Sequence, residues 1–378
     1  MRLFYGDGRM GDMRRLFAIV AAGLLLVMVL AGCKAISINA GPSPTAKAKT
    51  DSKSKSESKP KPKPKAKPAS HPAPVATGSG SLTTLVEPKN GVSAIYKLIT
   101  GAKSSVDLTM YELKDTTAEN DLAADANRGV DVKVILDQNL EKSRNTATYD
   151  FLAAHKVHVT WADAGTTYHQ KTLTVDGKTS VIMTLNMVSE DYAGTRDFAV
   201  IDTNHADVAA IVATFNADFA HKSITPPDGA DLVWSPTDSQ GHLLALINGA
   251  TSSLRIYSEE MGDTTVENAL IKAAKRGVDV QVCGENEDGE YDSAYTKLAR
   301  AGIHISYYSS STGFYIHGKV IEADYGTGHA RMFVGSENFS RTSLDDNREL
   351  GLIISDPAVL SAMARTFTAD FRSGQDWS

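Results

Sequence analysis

The sequence predicts an α/β fold: two similar halves, each a mixed β-sheet flanked by helices, related by a pseudo-two-fold duplication with a candidate site between them. Three observations predict it. Segments recur at one spacing: Gly101–Ser105 matches Gly249–Ser253, Asp115-Thr116-Thr117 matches Asp263-Thr264-Thr265, and Arg128–Val132 matches Arg276–Val280, each pair 148 residues apart. Within each copy, alternating strand-like runs are interleaved with runs of helical period. Only two copies exist, which argues against a solenoid and for two halves that face one another.

In chain order, residues 1–33 read as a targeting segment. Arg14 and Arg15 precede an apolar run from Leu16 to Ala31, closed by Leu30-Ala31-Gly32-Cys33. The run is short against the roughly 20 residues of a membrane span, and small residues end it as in a secretory signal. The ending resembles the lipobox of bacterial lipoproteins, which implies cleavage before Cys33 and lipidation of its thiol. A short transmembrane anchor with an unmodified cysteine is the alternative. Either one places the rest of the chain outside the cytoplasm, in the cell envelope. Residues 34–80 form a Lys/Pro/Ser-rich linker, typified by Lys59-Pro60-Lys61-Pro62-Lys63. Such a segment cannot bury a core and is expected to stay extended. Its lysines suit an anionic membrane surface at about 1 kcal/mol each; a solvated spacer is the plainer reading.

The two halves are residues 81–225 and 226–378. Val92–Leu98 and Leu243–Ile247 have helical period, and Ser105–Tyr111 and Ser253–Ser258 alternate as strands. Helices over Thr117–Asn127 and Thr265–Lys275 follow, capped by the preceding Asp-Thr pairs, with Gly129 and Gly277 at their C-terminal ends. Strands over Val132–Leu136 and Val278–Val282 come next. After another helix and strand, each half closes with a strand pair and a helix, Val208–Phe219 and Ala358–Phe371.

Charge is divided unevenly. Residues 1–80 hold 14 of the 39 Lys and Arg and 4 of the 45 Asp and Glu, so 25 basic and 41 acidic side chains, a net of −16, fall in residues 81–378. Proteins that bind long nucleic acids draw most of their affinity from phosphate contacts to a basic surface, so this balance argues against that class of partner. The two cysteines, Cys33 and Cys283, allow neither a disulfide framework nor a cysteine zinc site. Cys283 reads as a buried core thiol.

The duplicated halves carry a duplicated motif. His169-Gln170-Lys171 with Asp176, and His317-Gly318-Lys319 with Asp324, both read H-x-K-x4-D, again 148 residues apart. Residues two apart on a strand share a face, so each His projects with its Lys. Asp176-Gly177 is a two-residue hairpin signal. The second copy has a longer loop, after which the offset becomes 152 and matches Asn186 with Asn338 and Asp197 with Glu349. Each hairpin returns its asparagine beside its histidine. The lysines and asparagines then supply charge and donors to a tetrahedral anion, with Thr184 or Ser336 adding a hydroxyl. Histidine suits both attack and proton transfer near neutrality. Asp197 and Glu349 are the candidates to fix the histidine tautomers.

A doubled H-x-K-x4-D followed by G-S-x-N, as in Gly335-Ser336-Glu337-Asn338, resembles the phospholipase D superfamily over residues 81–378. The resemblance implies a metal-free phosphodiesterase in which one motif histidine forms a phosphohistidine and the other acts as acid and then base. By that analogy His169 is the nucleophile and His317 the acid. It also implies that Lys171, Asp176, Lys319 and Asp324 belong to the catalytic set, although turn preference reads the two aspartates as turn formers. Two departures stand out: Met183-Thr184 replaces Gly-Ser, and Asp197 replaces Glu. The implied substrate is a phospholipid and the implied cofactor none. Nuclease, phosphatidyltransferase (as in cardiolipin synthases) and silent binding module are the alternatives. Because both motifs lie in one chain, a monomer suffices.

Glu112 and Glu260, matched at strand ends, either line the site or sit in loops. His155, His158, His205, His221, His242, His304 and His329 have no matched partners. The aromatic run Tyr307–Tyr315 is either a lipid-facing rim or ordinary strand packing.

Overall fold

A computed structural model of the chain describes residues 80–378; the targeting segment, Cys33 and the linker as far as residue 79 lie outside the described residues. The local signals act as expected. Asp115 starts helix Thr116–Asn127 by accepting from the amides of Thr117 and Ala118 at 2.9 and 3.2 Å. Asp263 starts helix Thr264–Lys275 in the same way, at 2.8 Å from both Thr265 and Val266. Gly129 and Gly277 follow these helices at φ +94° and +91°, where a residue with Cβ would be strained. The closing helices run over His205–Phe219 and Pro357–Ser373, starting earlier than the apolar pattern alone indicates because Asn204 and Asp356 cap them.

Each half is built on one mixed sheet. In the first, the strand order is Leu82–Val86, Phe198–Asp202, Thr179–Met183, Thr172–Val175, Ser105–Met110, Asp131–Leu136, His158–Trp161. In the second it is Leu232–Ser235, Glu349–Ile354, Arg331–Gly335, Val320–Ala323, Ser253–Ser258, Asp279–Glu285, His304–Tyr308, with Gln375–Asp376 added at the edge. The two orders match strand for strand. In both, the three strands interleaved with helices pair in parallel, and the hairpins pair antiparallel.

Burial follows the same division. One core belongs to the first half, with Ile95, Leu108, Val134 and Leu173 at its centre. Another belongs to the second, around Leu254, Leu270, Val282 and Phe333. A third mixes residues of both halves, including Ile182, Phe198 and Val200 with Trp234, Tyr257, Val334 and Phe367, and it also takes in Cys283. This shared core fixes how the halves meet. Among the described residues no helix is long and apolar enough to cross a membrane.

Charged pairs cross the same boundary. Arg196 of the first half makes a two-point contact with Asp370 of the second, at 2.6 and 3.0 Å, and also donates to the carbonyl of Glu87. Asp370 in turn accepts from the Tyr257 hydroxyl at 2.6 Å. The matched residue Arg348 of the second half reaches back to Asp218 of the first at 3.0 Å. Removing the carboxylate of a buried pair strands its partner without compensation. Asp370→Ala is therefore expected to lower unfolding stability by about 3–5 kcal/mol, measured by urea denaturation; a loss under about 1 kcal/mol would show that the contact bears little of the joint.

Candidate active site

The two motif strands, Thr172–Val175 and Val320–Ala323, begin just after His169-Gln170-Lys171 and His317-Gly318-Lys319. Their hairpin partners return in register. Met183 N donates to Lys171 O and Gly335 N to Lys319 O, so Thr184–Asn186 and Ser336–Asn338 come alongside the two histidines. At the second motif the chain runs close to its neighbour: a Cβ on Gly318 would sit 2.7 Å from the Phe198 ring, so only glycine fits there.

The histidine–carboxylate pairing crosses between the halves. His169 Nδ1 lies 2.9 Å from Glu349 Oε2, and His317 Nδ1 lies 2.7 Å from Asp197 Oδ1. The backbone delivers this exchange. Gln170 N donates to Arg348 O and Arg348 N to Thr167 O, while His317 N donates to Arg196 O and Tyr315 N to Gly194 O. Each histidine thus sits beside the segment that carries the other half's carboxylate. With Nδ1–H committed to a carboxylate, Nε2 of each ring is left for chemistry.

The hydroxyls serve the carboxylates. Thr184 Oγ1 donates to Asp197 Oδ1 at 2.6 Å and accepts from Phe198 N at 2.9 Å. Ser336 Oγ accepts from Leu350 N at 3.2 Å and is hydrogen-bonded to Glu349. The expectation that these hydroxyls reach a phosphate oxygen is therefore corrected: both are spent on orienting a carboxylate. Thr184 also fills the role of the serine it replaces. Asn186 and Asn338 each leave a buried Oδ1 without a hydrogen-bond partner, at matched positions in the two halves.

Asp176 and Asp324 leave the catalytic set. Both adopt positive φ, +54° and +55°, in the turns that follow the motif strands. Asp176 accepts from the backbone amides of Lys103, Ser104 and Ser105 and from the Ser104 hydroxyl. Asp324 does the same with Thr251, Ser252 and Ser253. Burial is the largest single influence and pushes both carboxyls up, but these contacts together outweigh it and hold them down to about 2. Four strand residues, five steps along the chain, separate each aspartate from its lysine, roughly 17 Å. They tie the hairpin to the start of the central strand.

The buried charges set the protonation states. Burial first, then Lys171 and Lys319, hold His169 well below its ordinary range, so its ring is neutral near pH 7. Burial and the charge of Lys319 bring Lys171 down to about 7. Lys171 donates to the carbonyl of His169 at 2.6 Å and lies over the Tyr111 ring, 4.8 Å from its centroid. Burial pushes Glu349 up to about 7 against Lys171, Ser343 and Asn347. Asp197 is held at about 2, because His317 and Lys319 outweigh its burial.

Residues outside the motif complete the cluster. The Tyr111 ring meets His169 edge-on at 4.7 Å. Glu259, the residue matched to Tyr111 at the 148 spacing, pairs with Lys319 at 2.6 Å. The 148 offset is the signal that could have found this pair, but the two side chains are unlike. The like pair next to them is Glu112 and Glu260. Glu112 is tied to Arg144 at 2.5 Å. Glu260, hydrogen-bonded to Ser340, is pushed up to about 7 by burial and by Glu259. Ser343 and Asn347, which hold Glu349, have no like residue at matched positions in the first half. Of the unmatched histidines, His221 pairs with Asp163 and His155 with the carbonyl of Phe151, both on the surface of the first half. The aromatic run reaches both halves: Tyr307 packs on Trp377 and Tyr308 donates to the Asp370 carbonyl, while Phe314 lies under Arg196 and Tyr315 pairs with Thr195 of the first half.

Two outcomes follow from this arrangement. Asp176→Ala is expected to cost about 2–3 kcal/mol, the penalty for leaving several backbone donors unpaired, with turnover per folded molecule retained. Denaturation paired with active-site titration checks this, and loss of turnover at full stability would return Asp176 to the catalytic set. The second concerns pH. Above about 7, Lys171 is neutral in the empty site, so binding an anion takes up a proton. Affinity for dimethyl phosphate, whose single charge is constant here, is expected to be flat below pH 7 and to fall up to about tenfold per pH unit above it. Calorimetry in buffers of different ionisation enthalpy measures both affinity and proton uptake.

Comparisons with known proteins fit this geometry. The family model described as cardiolipin synthase, PLD-like domain, matches residues 95–221 and 243–371. No curated protein matches the chain. Among solved structures, the polyphosphate kinase of Porphyromonas gingivalis is similar at 15% identity and a TM-score of 0.62, covering 77% of this chain and 50% of its own. The chain thus spans half the length of that kinase. The phosphatidylserine synthase of Haemophilus influenzae is similar at 12% identity and a TM-score of 0.61, covering 78% of this chain and 87% of its own. Nuc of Salmonella typhimurium, a phospholipase D family member, is 25% identical over 39% of this chain and 95% of its own, at a TM-score of 0.35. With the family model matched twice, once on each half, the chain belongs to the phospholipase D-like superfamily of phosphodiesterases and phosphotransferases.

Proposed function

We propose that the chain is a phospholipase D-type phosphodiesterase that hydrolyses a phospholipid at its distal phosphodiester bond, giving phosphatidic acid and the free headgroup. The observation that carries the phosphodiester reading is the crossed pairing. Each imidazole is tied at Nδ1 to a carboxylate of the opposite half, which leaves two Nε2 atoms beside two buried lysines. His169, neutral at pH 7, attacks phosphorus through Nε2. His317 gives its Nε2 proton to the leaving oxygen, then takes one from water as that water displaces His169 from phosphorus. Lys171 and Lys319 neutralise the charge that builds on the non-bridging oxygens.

The net charge of −16 over residues 81–378 supports a lipid over a long nucleic acid. The lipobox-like ending at Cys33 and the lysine-rich linker support a tether that holds the catalytic part at a membrane. Both clusters come from one chain, so a monomer is sufficient. Transfer of the phosphatidyl group to an alcohol is the second reading, favoured by the family model's description and by the fold shared with a phosphatidylserine synthase.

The test incubates the full chain with mixed phospholipid vesicles, with and without glycerol, and in parallel with single-stranded DNA. Phosphatidic acid plus free headgroup is the expected product, reduced by at least about 10³-fold in His169→Ala. A phosphatidyl-alcohol formed in preference to phosphatidic acid would establish the transferase. Cleaved DNA beside intact lipid would overturn the lipase reading.

A further inference from the structure

The two halves differ at one place in the site. Positions 111 and 259 are equivalent by the 148 offset, and each side chain lies against the motif lysine of its own half. In the first half that side chain is an uncharged phenol, with its ring against Lys171 and His169. In the second it is a carboxylate, only 7% exposed. Glu259 Oε2 lies 2.6 Å from Lys319 Nζ, and Oε1 lies 3.6 Å from His317 Nε2, the nitrogen left for chemistry. The Tyr315 hydroxyl donates to Oε1 at 3.0 Å and aims it.

A carboxylate inside an anion-binding site is costly unless it does something there. Lys171, once protonated, has no ion-pair partner among the described residues and offers its charge to an oxyanion, whereas Glu259 already offsets much of the charge of Lys319. His169 meets one carboxylate, at Nδ1. His317 meets one at each nitrogen, Asp197 at 2.7 Å and Glu259 at 3.6 Å. A proton on His317 Nε2 therefore has an acceptor facing it, and a proton on His169 Nε2 has none of that kind.

We propose that Glu259 is the positioning residue that makes the two halves unequal. It holds the proton on His317 Nε2 and draws on the charge of Lys319, so that His317 enters the cycle as the acid and the phosphoryl group is gripped on the His169–Lys171 side. This rests on the phosphohistidine reading above and assigns its direction. In the first step the His169 Nε2–P bond forms, the P–O bond to the leaving group breaks, and the leaving oxygen takes the proton from His317 Nε2. In the second, water forms the new O–P bond, its proton returns to His317 Nε2, and the N–P bond breaks. Glu259 stays ionised throughout, consistent with His317 and Lys319 holding it well below its ordinary range despite burial.

Other charged groups face this centre. From the first half, His169, Lys171, Asp191 and Asp197 act on His317 or Glu259. From the second, Lys319 pairs with Glu259, while the carboxyls of Glu260, Glu285 and Glu290 also act on it, burial pushing the first two up to about 7 and about 8. Among the described residues, none of these comes within hydrogen-bond or ion-pair range of His317 Nε2, where Glu259 stands at 3.6 Å.

The test uses the full chain with ¹⁵N-labelled histidine, the His317 signal being assigned by its loss in His317→Asn. In Glu259→Gln the protonation midpoint of His317 is expected to fall by about one pH unit. Dimethyl phosphate is expected to bind about tenfold tighter at pH 6, because a negative charge has left the site. Glu259→Tyr, which gives the second half the residue of the first, is expected to move both readouts the same way, and thermal unfolding identifies which variant is folded. An unmoved His317 midpoint, or unchanged or weaker binding of dimethyl phosphate, overturns the proposal. Neither readout needs turnover, so failure of the phosphohistidine reading shows separately, as substrate cleavage that survives His169→Ala.

Discussion

The structure depends on one constraint: each half completes its histidine with a carboxylate from the other. Glu349 holds His169 and Asp197 holds His317, and Arg348–Asp218 and Arg196–Asp370 cross the boundary one residue before each carboxylate. Adjacent residues on an extended chain point to opposite sides. The arginine of each pair is thus directed to the closing helix of the other half, and the carboxylate to the other half's histidine. One backbone segment both joins the halves and orients the imidazole. A half on its own would have a histidine with no tautomer partner and an arginine with no counter-ion, so the joint and the site form together.

The electrostatics follow from placing charged groups where water does not reach. Lys171 and Lys319 are both fully buried. Two like charges in one buried centre oppose each other's protonation, and the site meets this differently on each side. On the first side the lysine loses proton affinity, to about 7, against a tyrosine ring. On the second it keeps a counter-ion, Glu259, at 2.6 Å. A substrate phosphodiester brings the negative charge that the first side lacks, so the free energy of binding is concentrated where the neutral histidine stands ready to attack. The matched buried Oδ1 atoms of Asn186 and Asn338 belong to the same economy of polar groups left open around the centre.

The architecture was legible in the sequence because duplication leaves a fixed offset and because strand, helix and cap signals are local. Asp115 and Asp263 cap the helices they precede, and Asp176-Gly177 makes the turn it signals. The same local logic separated the two motif aspartates from the histidines: turn preference read them as turn formers, and their carboxylates do tie down the loops at residues 103–105 and 251–253. The family pattern, which groups residues by motif, placed them in the catalytic set. The pattern records which residues occur together and not which ones meet.

What lay beyond the sequence was every relation that runs between the halves. The sequence alone determined the two-fold repeat, the α/β class, the His-Lys pairs on shared strand faces and the two carboxylates available to orient them, since each of these is set by spacing within a few residues or by one repeated offset. Only the tertiary structure decided that the carboxylates are exchanged, that Thr184 and Ser336 serve those carboxylates, and that Tyr111 and Glu259 each lie against the motif lysine of their own half. The reason is physical: hydrogen bonds and ion pairs depend on distances of about 3 Å, and between residues on different strands those distances are set by how the sheets form and how they pack on a shared core.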